Sequence, residues 1–381
     1  MVEAYEGYPS AEVAERNEMN DAQWPASTGS AAYFRAATNG LAMLPDASEP
    51  HLSLMSLERE YGLSGVLASL SSEVERTFEA SISDGRQLIL KTSSRPQALE
   101  SFRFQSATLA GLGSAAGVLT PKVISTLSGE LMFEQGGFGG YLQTKVDGIP
   151  LREVPHAPGL LYEVGAALAR IDRALSGITA PATRRPVLWN IACWPWLVEL
   201  QQYLPEGPTA DHVGAAMAGY LQSIAPCVAD LDWQITHNDP SPFNMILASE
   251  GVAFIDFGDG GWNPRIQDLA IAAGHFVTDP ETPLGGAEYV IAGYASSMQL
   301  SALEIKLLVG LMRARHGALV LINTWRARLF PADAQYILKN VYRAEQGLSI
   351  LARLDASASE AAVRTAMALD PPLWTGNIRC P

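Results

Sequence analysis

Between Ile235 and Ala272 the chain reads ITHNDPSPFNMILASEGVAFIDFGDGGWNPRIQDLAIA, and this segment holds the residue types best suited to chemistry. His237, Asp239 and Asn244 stand in the spacing HxDxxxxN, followed by Asp256-Phe257-Gly258. Three fixed residues, at roughly one in twenty each, arise by chance in a chain of this length at about the few-per-cent level, and an added DFG lowers that by orders of magnitude. Two apolar runs, NMILA and VAFID, flank Ser249-Glu250-Gly251 and read as a hairpin. A pairing centred on Glu250 sets Asn244 directly opposite Asp256. Directly paired side chains stand about 5 Å apart at Cβ, so an amide oxygen and a carboxylate can share a cation bound to nucleotide phosphates. Magnesium, which favours hard oxygen ligands, is the expected ion. Asp239 precedes the hairpin on a loop and is the expected general base, accepting the proton of an attacking hydroxyl while the metal neutralises charge on the phosphoryl group.

Positioning these residues needs a folded body of some size. The 381 residues are 48% hydrophobic and 17% charged, with 33 Gly and 24 Pro, a globular composition that excludes disordered, fibrous and disulfide-stapled classes. Dividing the length by a typical domain of about 150 residues predicts two packed lobes with extra segments. The formal charge of −14, from 26 basic and 40 acidic residues, repels duplex nucleic acid and anionic membranes overall, so neither is an expected partner. The N-terminal residues carry acids where a signal peptide needs a basic start and an apolar run, and no stretch has the apolar length of a membrane span, which predicts a cytoplasmic protein. Cys193, Cys227 and Cys380 lie far apart and form no metal or redox motif.

The fold class expected is α+β. Residues 1–45 lack a sustained period and read as a poorly ordered extension. Residues 46–146 form the first lobe. Three antiparallel strands are expected over 63–93, with the Asp84-Gly85 pair predicting a type I′ hairpin turn, then a helix from Pro96 to about Leu112 and a strand near 140. Residues 147–381 form a mainly helical second lobe, with helices over 157–177, 193–204, 211–228, 265–277, 286–298, 301–329 and 331–353 around one β interruption, Trp233 to Phe257.

The HxDxxxxN and DFG pair is a kinase signature, and the segment resembles the catalytic and metal-binding motifs of the aminoglycoside phosphotransferase and choline kinase superfamily, small-molecule relatives of protein kinases. YGLSG at 61–65, ILKTS around Lys91, TPKVISTLSGE at 120–130, HNDPSPFN, and DFGD followed by DLAIA resemble its hydroxylysine kinase group. The likeness runs over roughly residues 55–350 and implies a two-lobed, protein-kinase-like fold: a small antiparallel-sheet lobe that binds ATP or GTP, and a larger helical lobe with the catalytic loop and acceptor site. It implies that Lys91, one of only five lysines, holds the nucleotide phosphates; the alternative is a solvated strand face. The acid that partners this lysine in the family falls here on Gln105, with Glu100 a turn and a half earlier, so the ion pair is either displaced to Glu100 or replaced by an amide. The phosphate-covering loop carries Ser71 and Ser72 in place of glycines, which an ordinary polar turn explains equally well. Asp268 matches a residue that braces the catalytic loop, and an N-terminal helix acid is its plain alternative. Asp259 is placed beside a cationic acceptor or on a solvated turn. Arg326 resembles a residue that pairs with a substrate carboxylate, set against a solvated helix flank, and His237 fixes the loop rather than binding metal.

Three functions compete: a kinase of a small hydroxylated amine or amino acid, a non-catalytic nucleotide-binding relative, and a kinase of protein side chains. Only about ten residues separate Asp256 from DLAIA, too few to hold a peptide, and Asp239, Asn244 and Asp256 are all present. These features favour a small-molecule kinase, and the resemblance implies a small cationic amino alcohol or amino acid as the acceptor, with hydroxylysine favoured over homoserine, choline, ethanolamine or an aminoglycoside.

Overall fold

In the computed structural model, residues 30–43, 50–70, 75–113 and 115–372 are described. After helices α1 (Ala31–Leu41) and α2 (Pro50–Tyr61), the first lobe contains strands β1 (Gly65–Leu70), β2 (Arg76–Ile82) and β3 (Gln87–Ser93), helix α3 (Pro96–Leu112), and strands β4 (Val123–Ile124), β5 (Phe133–Gln135) and β6 (Phe138–Thr144). They form one antiparallel sheet in the order β1-β2-β3-β6-β4, with β5 also paired to β6. Alternation along β2 and β3 buries Phe78, Ala80, Ile82, Leu88 and Leu90 together with Leu57 and Tyr61 of α2. Lys91, one residue beyond Leu90, therefore emerges on the opposite face, beneath α3.

Strand β7 (Ile149–Pro150) leads into the second lobe: α4 (Pro158–Leu175), a long 3₁₀ segment (Ile191–Tyr203), α5 (Pro208–Gly219), strands β8 (Trp233–Thr236), β9 (Met245–Ala248), β10 (Gly251–Phe254) and β11 (Gly261–Pro264), then α6 (Ile266–Gly274), α7 (Glu288–Ser297), α8 (Ala302–Leu329), the short α9 (Ala334–Ile337), α10 (Val341–Leu351) and α11 (Ala356–Met367). Strand β9 pairs with β10 and β7, and β8 with β11. Helices α4 and α7 touch backbone to backbone: a Cβ at Gly165 would overlap the Val290 carbonyl, and one at Gly293 the Tyr162 carbonyl. Ser301 starts the 28-residue α8 with a capping box, its side chain accepting from Glu304 N while Glu304 reaches back. No helix among the described residues is long and apolar enough to cross a membrane.

Several local expectations are corrected. The extension over 1–45 is described only from residue 30, and there it is not loose: Ser30 caps α1, Ala31, Phe34 and Ala37 are buried, and Phe34 stacks on Trp196 at 6.4 Å. Between β2 and β3 only Gly85 has positive φ, and Ile82 pairs with Arg86, so a three-residue loop with glycine in the left-handed position replaces the type I′ turn. The helix expected over 331–353 is broken at 338–340, that over 193–204 is 3₁₀ around Pro195, and that over 211–228 ends in π and 3₁₀ turns at Pro226. Helices α2 and α11 have no counterpart in the sequence reading.

Candidate active site

Asp239 lies on the loop between β8 and β9, and the chain enters that loop through a strained residue. Asn238 has φ +63°, one of three positive-φ non-glycine residues among those described, and its side chain donates to Asp259 O at 2.9 Å. Asn and Asp tolerate this conformation better than other residues, and surrounding bonds must hold it. Asp268, at the start of α6, supplies them: its two carboxylate oxygens accept the N–H groups of His237 and Asn238, each at 2.7 Å. The expected bracing role thus has a direct geometry. His237 is fully buried, and burial pulls its pKa down to about 4, so the ring is neutral. Its Nδ1 lies 3.3 Å from Asp239 N and its Nε2 3.0 Å from Ile255 O, a pattern that assigns the proton to Nε2.

Behind Asp268 sits an acid that the sequence reading did not find. Asp172 of α4 is fully buried, and its Oδ2 accepts from Tyr294 Oη at 2.9 Å. Its Oδ1 has no donor among the described residues. Burial, then the neighbouring Asp268 charge, raises Asp172 well above the ordinary carboxylate value. Asp268 already accepts two backbone N–H groups, so Asp172 carries the proton and donates it to Asp268.

The Asp239 carboxylate is held from both sides. Asn244 Nδ2 donates to Oδ2 at 2.7 Å and Arg315 Nη2 to Oδ1 at 3.2 Å. Arg315 comes from the middle of α8 and lies 4.7 Å over the Trp189 ring. Arg326, placed beside the acceptor by the sequence reading, is buried eleven residues further along α8, about three turns or 16 Å away. The arginine at Asp239 is Arg315.

The β9–β10 ladder pairs Ala248 with Gly251 and Met245 with Phe254, and Ile255 N donates to Asn244 O. Its axis falls between Ser249 and Glu250, so Asn244 faces Ile255, one residue short of the expected Asp256. A two-residue loop has no central residue, and that produces the slip. Asp256 leaves the ladder with φ +61°, and its Oδ1 accepts from Lys91 Nζ at 2.8 Å and from Gly258 N at 3.2 Å. Desolvation pushes its pKa up, but the Lys91 charge and these bonds outweigh it and hold the carboxyl below its ordinary value.

Lys91 is the hub between the lobes. Its buried ammonium donates to Asp256 at 2.8 Å, Glu75 Oε1 at 3.0 Å and Gln105 Oε1 at 3.1 Å, and Gln105 Oε1 also accepts from Tyr141 Oη at 2.8 Å. Burial disfavours the charge, yet Asp256 and Glu75 raise the lysine well above its ordinary pKa. Of the two options on α3, the amide at Gln105 is the one in contact. Glu100 is exposed, and no described contact joins it to Lys91. The missing charge comes instead from Glu75, just before β2, which the sequence reading overlooked. Ser71 and Ser72 lie outside the described residues.

Asp259 stands near two buried guanidinium groups, Arg185 and Arg315, and contributes to the field at both. Arg185 donates to Gly258 O at 2.5 Å and lies 4.3 Å over Phe104, while its own carbonyl accepts from Tyr33 Oη of α1 at 2.7 Å. Helix α1 thereby props the wall of the site. The fit to a cation is chemical: Asn244 turns its amide nitrogen to Asp239, leaving Oδ1 as a hard donor, and among the described residues only Oδ1 of Asp256 is engaged.

Comparison with known proteins follows the same lines. Residues 67–299 match the profile described as the phosphotransferase enzyme family. The hydroxylysine kinase of Danio rerio is 24% identical over 332 residues, covering 81% of this chain and 92% of the relative. That of Bos taurus is 23% identical over 211 residues, covering 52% of this chain, and the match spans only 56% of the relative's length. An amicoumacin kinase solved with AMP-PNP, Ca2+ and Ami shares the fold with a TM-score of 0.59 at 16% identity, covering 77% of this chain and 93% of its own. A microcompartment-associated aminopropanol kinase gives 0.56 at 18% identity, covering 82% and 99%.

Proposed function

This chain belongs to the phosphotransferase enzyme family, and from that premise we propose that it moves the γ-phosphate of ATP, or GTP, to a hydroxyl of a small cationic amino acid or amino alcohol, with 5-hydroxylysine the favoured acceptor. The observation that carries the reading is the separation of Asp239 from Asp256. One carboxylate is fixed by Asn244 and Arg315 on the catalytic loop, and the other by Lys91 at the lobe boundary. Phosphoryl transfer needs two such acids in different roles.

Asp239 accepts the acceptor hydroxyl's proton as that oxygen bonds to the γ-phosphorus and the bond to the β-phosphate oxygen breaks, releasing the nucleoside diphosphate. Lys91 holds the phosphates, and the hydrogen bonds it donates to Gln105, Glu75 and Asp256 keep its Nζ in place. Asn244 and Asp256 would hold magnesium, which when bound neutralises charge on the transferring group. Asp268 and His237 hold the loop, and Asp259 faces the acceptor's ammonium. The hydroxylysine kinase relatives support the choice of acceptor, as does a site whose added carboxylate, Asp259, suits a cation.

The test is a panel of hydroxylysine, homoserine, ethanolamine, choline, an aminoglycoside, a neutral sugar and a nucleoside, each with Mg-ATP or Mg-GTP, read by nucleoside diphosphate release. Release stimulated most by hydroxylysine is expected. Efficient use of neutral sugars or nucleosides, with none of the amines accepted, would overturn the acceptor assignment.

A further inference from the structure

Gln105 is fully buried, and both ends of its amide are in use. Oε1 accepts from Lys91 Nζ at 3.1 Å and from Tyr141 Oη at 2.8 Å, while Nε2 donates to Ser101 Oγ at 3.0 Å. An ammonium can only donate, so the contact with Lys91 fixes which end of the amide is oxygen and leaves the nitrogen aimed at Ser101. Ser101 stands four residues earlier on α3, one turn toward the N-terminus and on the same face, which is where a helical side chain leans. Its hydroxyl takes the amide proton and gives its own to Gly258 O at 3.4 Å. Gly258 N donates to Asp256 Oδ1 at 3.2 Å, and Lys91 donates to the same oxygen at 2.8 Å. The bonds close a ring that runs from Lys91 through Gln105, Ser101 and Gly258 to Asp256 and back. Its first three members belong to the first lobe and the other two to the second. Arg185 holds Gly258 O from the second-lobe side at 2.5 Å.

We infer that Gln105 and Ser101 are positioning residues for Asp256: they carry the placement of Lys91 across α3 to the Gly258 carbonyl, so that the phosphate lysine and the metal carboxylate are set together when Mg-nucleotide binds. The ring needs one residue that accepts from Lys91 and donates to Ser101, and a glutamine does both. A glutamate at 105 could only accept. The single proton of the Ser101 hydroxyl would then turn to that carboxylate and leave Gly258 O, and a third acid would join Glu75 and Asp256 around one ammonium. The inference rests on the assignment of Lys91 to the phosphates and Asp256 to the metal, and adds the residues that couple the two.

The experiment measures ATP binding by calorimetry, once with Mg2+ and once with EDTA, in the wild type, Ser101→Ala, Gln105→Met, the double variant and Gln105→Glu. The ratio of the two affinities is the gain that the metal brings. Ser101→Ala keeps the Lys91–Gln105 contact in a helix that alanine suits, so its affinity in EDTA should stay within about two-fold of the wild type. Its gain should fall about three-fold to ten-fold, the size of one neutral hydrogen bond, with Arg185 limiting the loss. Gln105→Met should lower the gain by as much, and the double variant no further, because a relay already broken at one link has nothing more to lose at the next. Gln105→Glu should lower it as well. A gain within about two-fold of the wild type in Ser101→Ala, losses that add in the double variant, or a Gln105→Glu gain equal to or above the wild type would each overturn the inference and leave the kinase assignment standing. A wild type that binds ATP in neither condition would overturn both. Melting curves show which variants fold, and if those at Gln105 do not, Ser101→Ala decides the matter.

Discussion

Replacing Asp172 by asparagine should leave the protein about as stable as the wild type, although the substitution changes a fully buried acid. In the folded state Asp172 is protonated, accepts from Tyr294 Oη at 2.9 Å and donates to Asp268. Asparagine reproduces both bonds, its oxygen taking the tyrosine proton and its amide replacing the acid O–H, so a change within about 1 kcal/mol is expected. Alanine removes both and leaves a cavity behind a buried hydroxyl, a loss of about 2–4 kcal/mol, or about 2.5–5 °C in Tm for a chain of this size. The pH dependence has a definite sign. Carboxyls raised above their ordinary value in the folded state give stability that is fully present below the ordinary carboxylate range and lost as pH rises through the raised titration. Wild-type Tm should therefore fall between acidic and mildly basic pH by more than that of Asp172→Asn, which has no proton to lose there. Calorimetric scans at pH 5 and pH 8 read the difference. An asparagine variant as unstable as alanine at pH 8, or a wild type whose Tm shows the same pH response as Asp172→Asn, would refute the shared proton.

Asp256→Ala should abolish turnover and weaken Mg-nucleotide binding, measured by calorimetry; unchanged affinity would remove its assignment to the metal. Lys91→Met leaves Asp256 and Glu75 without their common cation, and because the Asp256 carboxylate is half exposed it should destabilise the fold by about 1–3 kcal/mol in denaturant titrations. In the folded fraction the nucleotide KM should rise ten-fold or more, and a variant with unaltered KM would contradict the phosphate role. Asp259→Ala should raise the acceptor KM about ten-fold, as expected for a lost charge-assisted bond, while nucleotide binding is spared. Steady-state kinetics with an unchanged acceptor KM would place Asp259 outside the acceptor site.

Much of this site was legible because its residues sit on a short, ordered stretch of sequence. HxDxxxxN and DFG are joined by a hairpin whose apolar runs and turn residues are plain, so Asp239, Asn244 and Asp256 could be named together. What a spacing rule misses is one residue of register: the loop length decides whether Asn244 faces Ile255 or Asp256, and Ser249-Glu250-Gly251 reads equally well as two residues or three. Residues brought in from far along the chain were less visible. Glu75 precedes Lys91 by two strand lengths and carries no motif, and Asp172 lies on an amphipathic helix where an acid reads as solvated. Arg315 did leave a signal, a charged residue inside the apolar run LLVGLMRARHGALVLI, where a buried partner is required. The two-lobed division was readable from the change of hydrophobic period after Pro150. The packing of α1 was not, since Phe34 acquires meaning only when Trp196 comes to meet it.

The central claim is that Asp239 takes the proton of the attacking hydroxyl, and single-turnover phosphate transfer from Mg-ATP to hydroxylysine in Asp239→Asn tests it most directly. The asparagine keeps the shape and can still accept from one of Asn244 and Arg315, which donate to separate oxygens of Asp239, but it cannot accept the proton. Transfer should slow by about 10² to 10⁴ with nucleotide affinity unchanged. Transfer within about ten-fold of the wild type, with chemistry shown to limit the rate, would contradict the account.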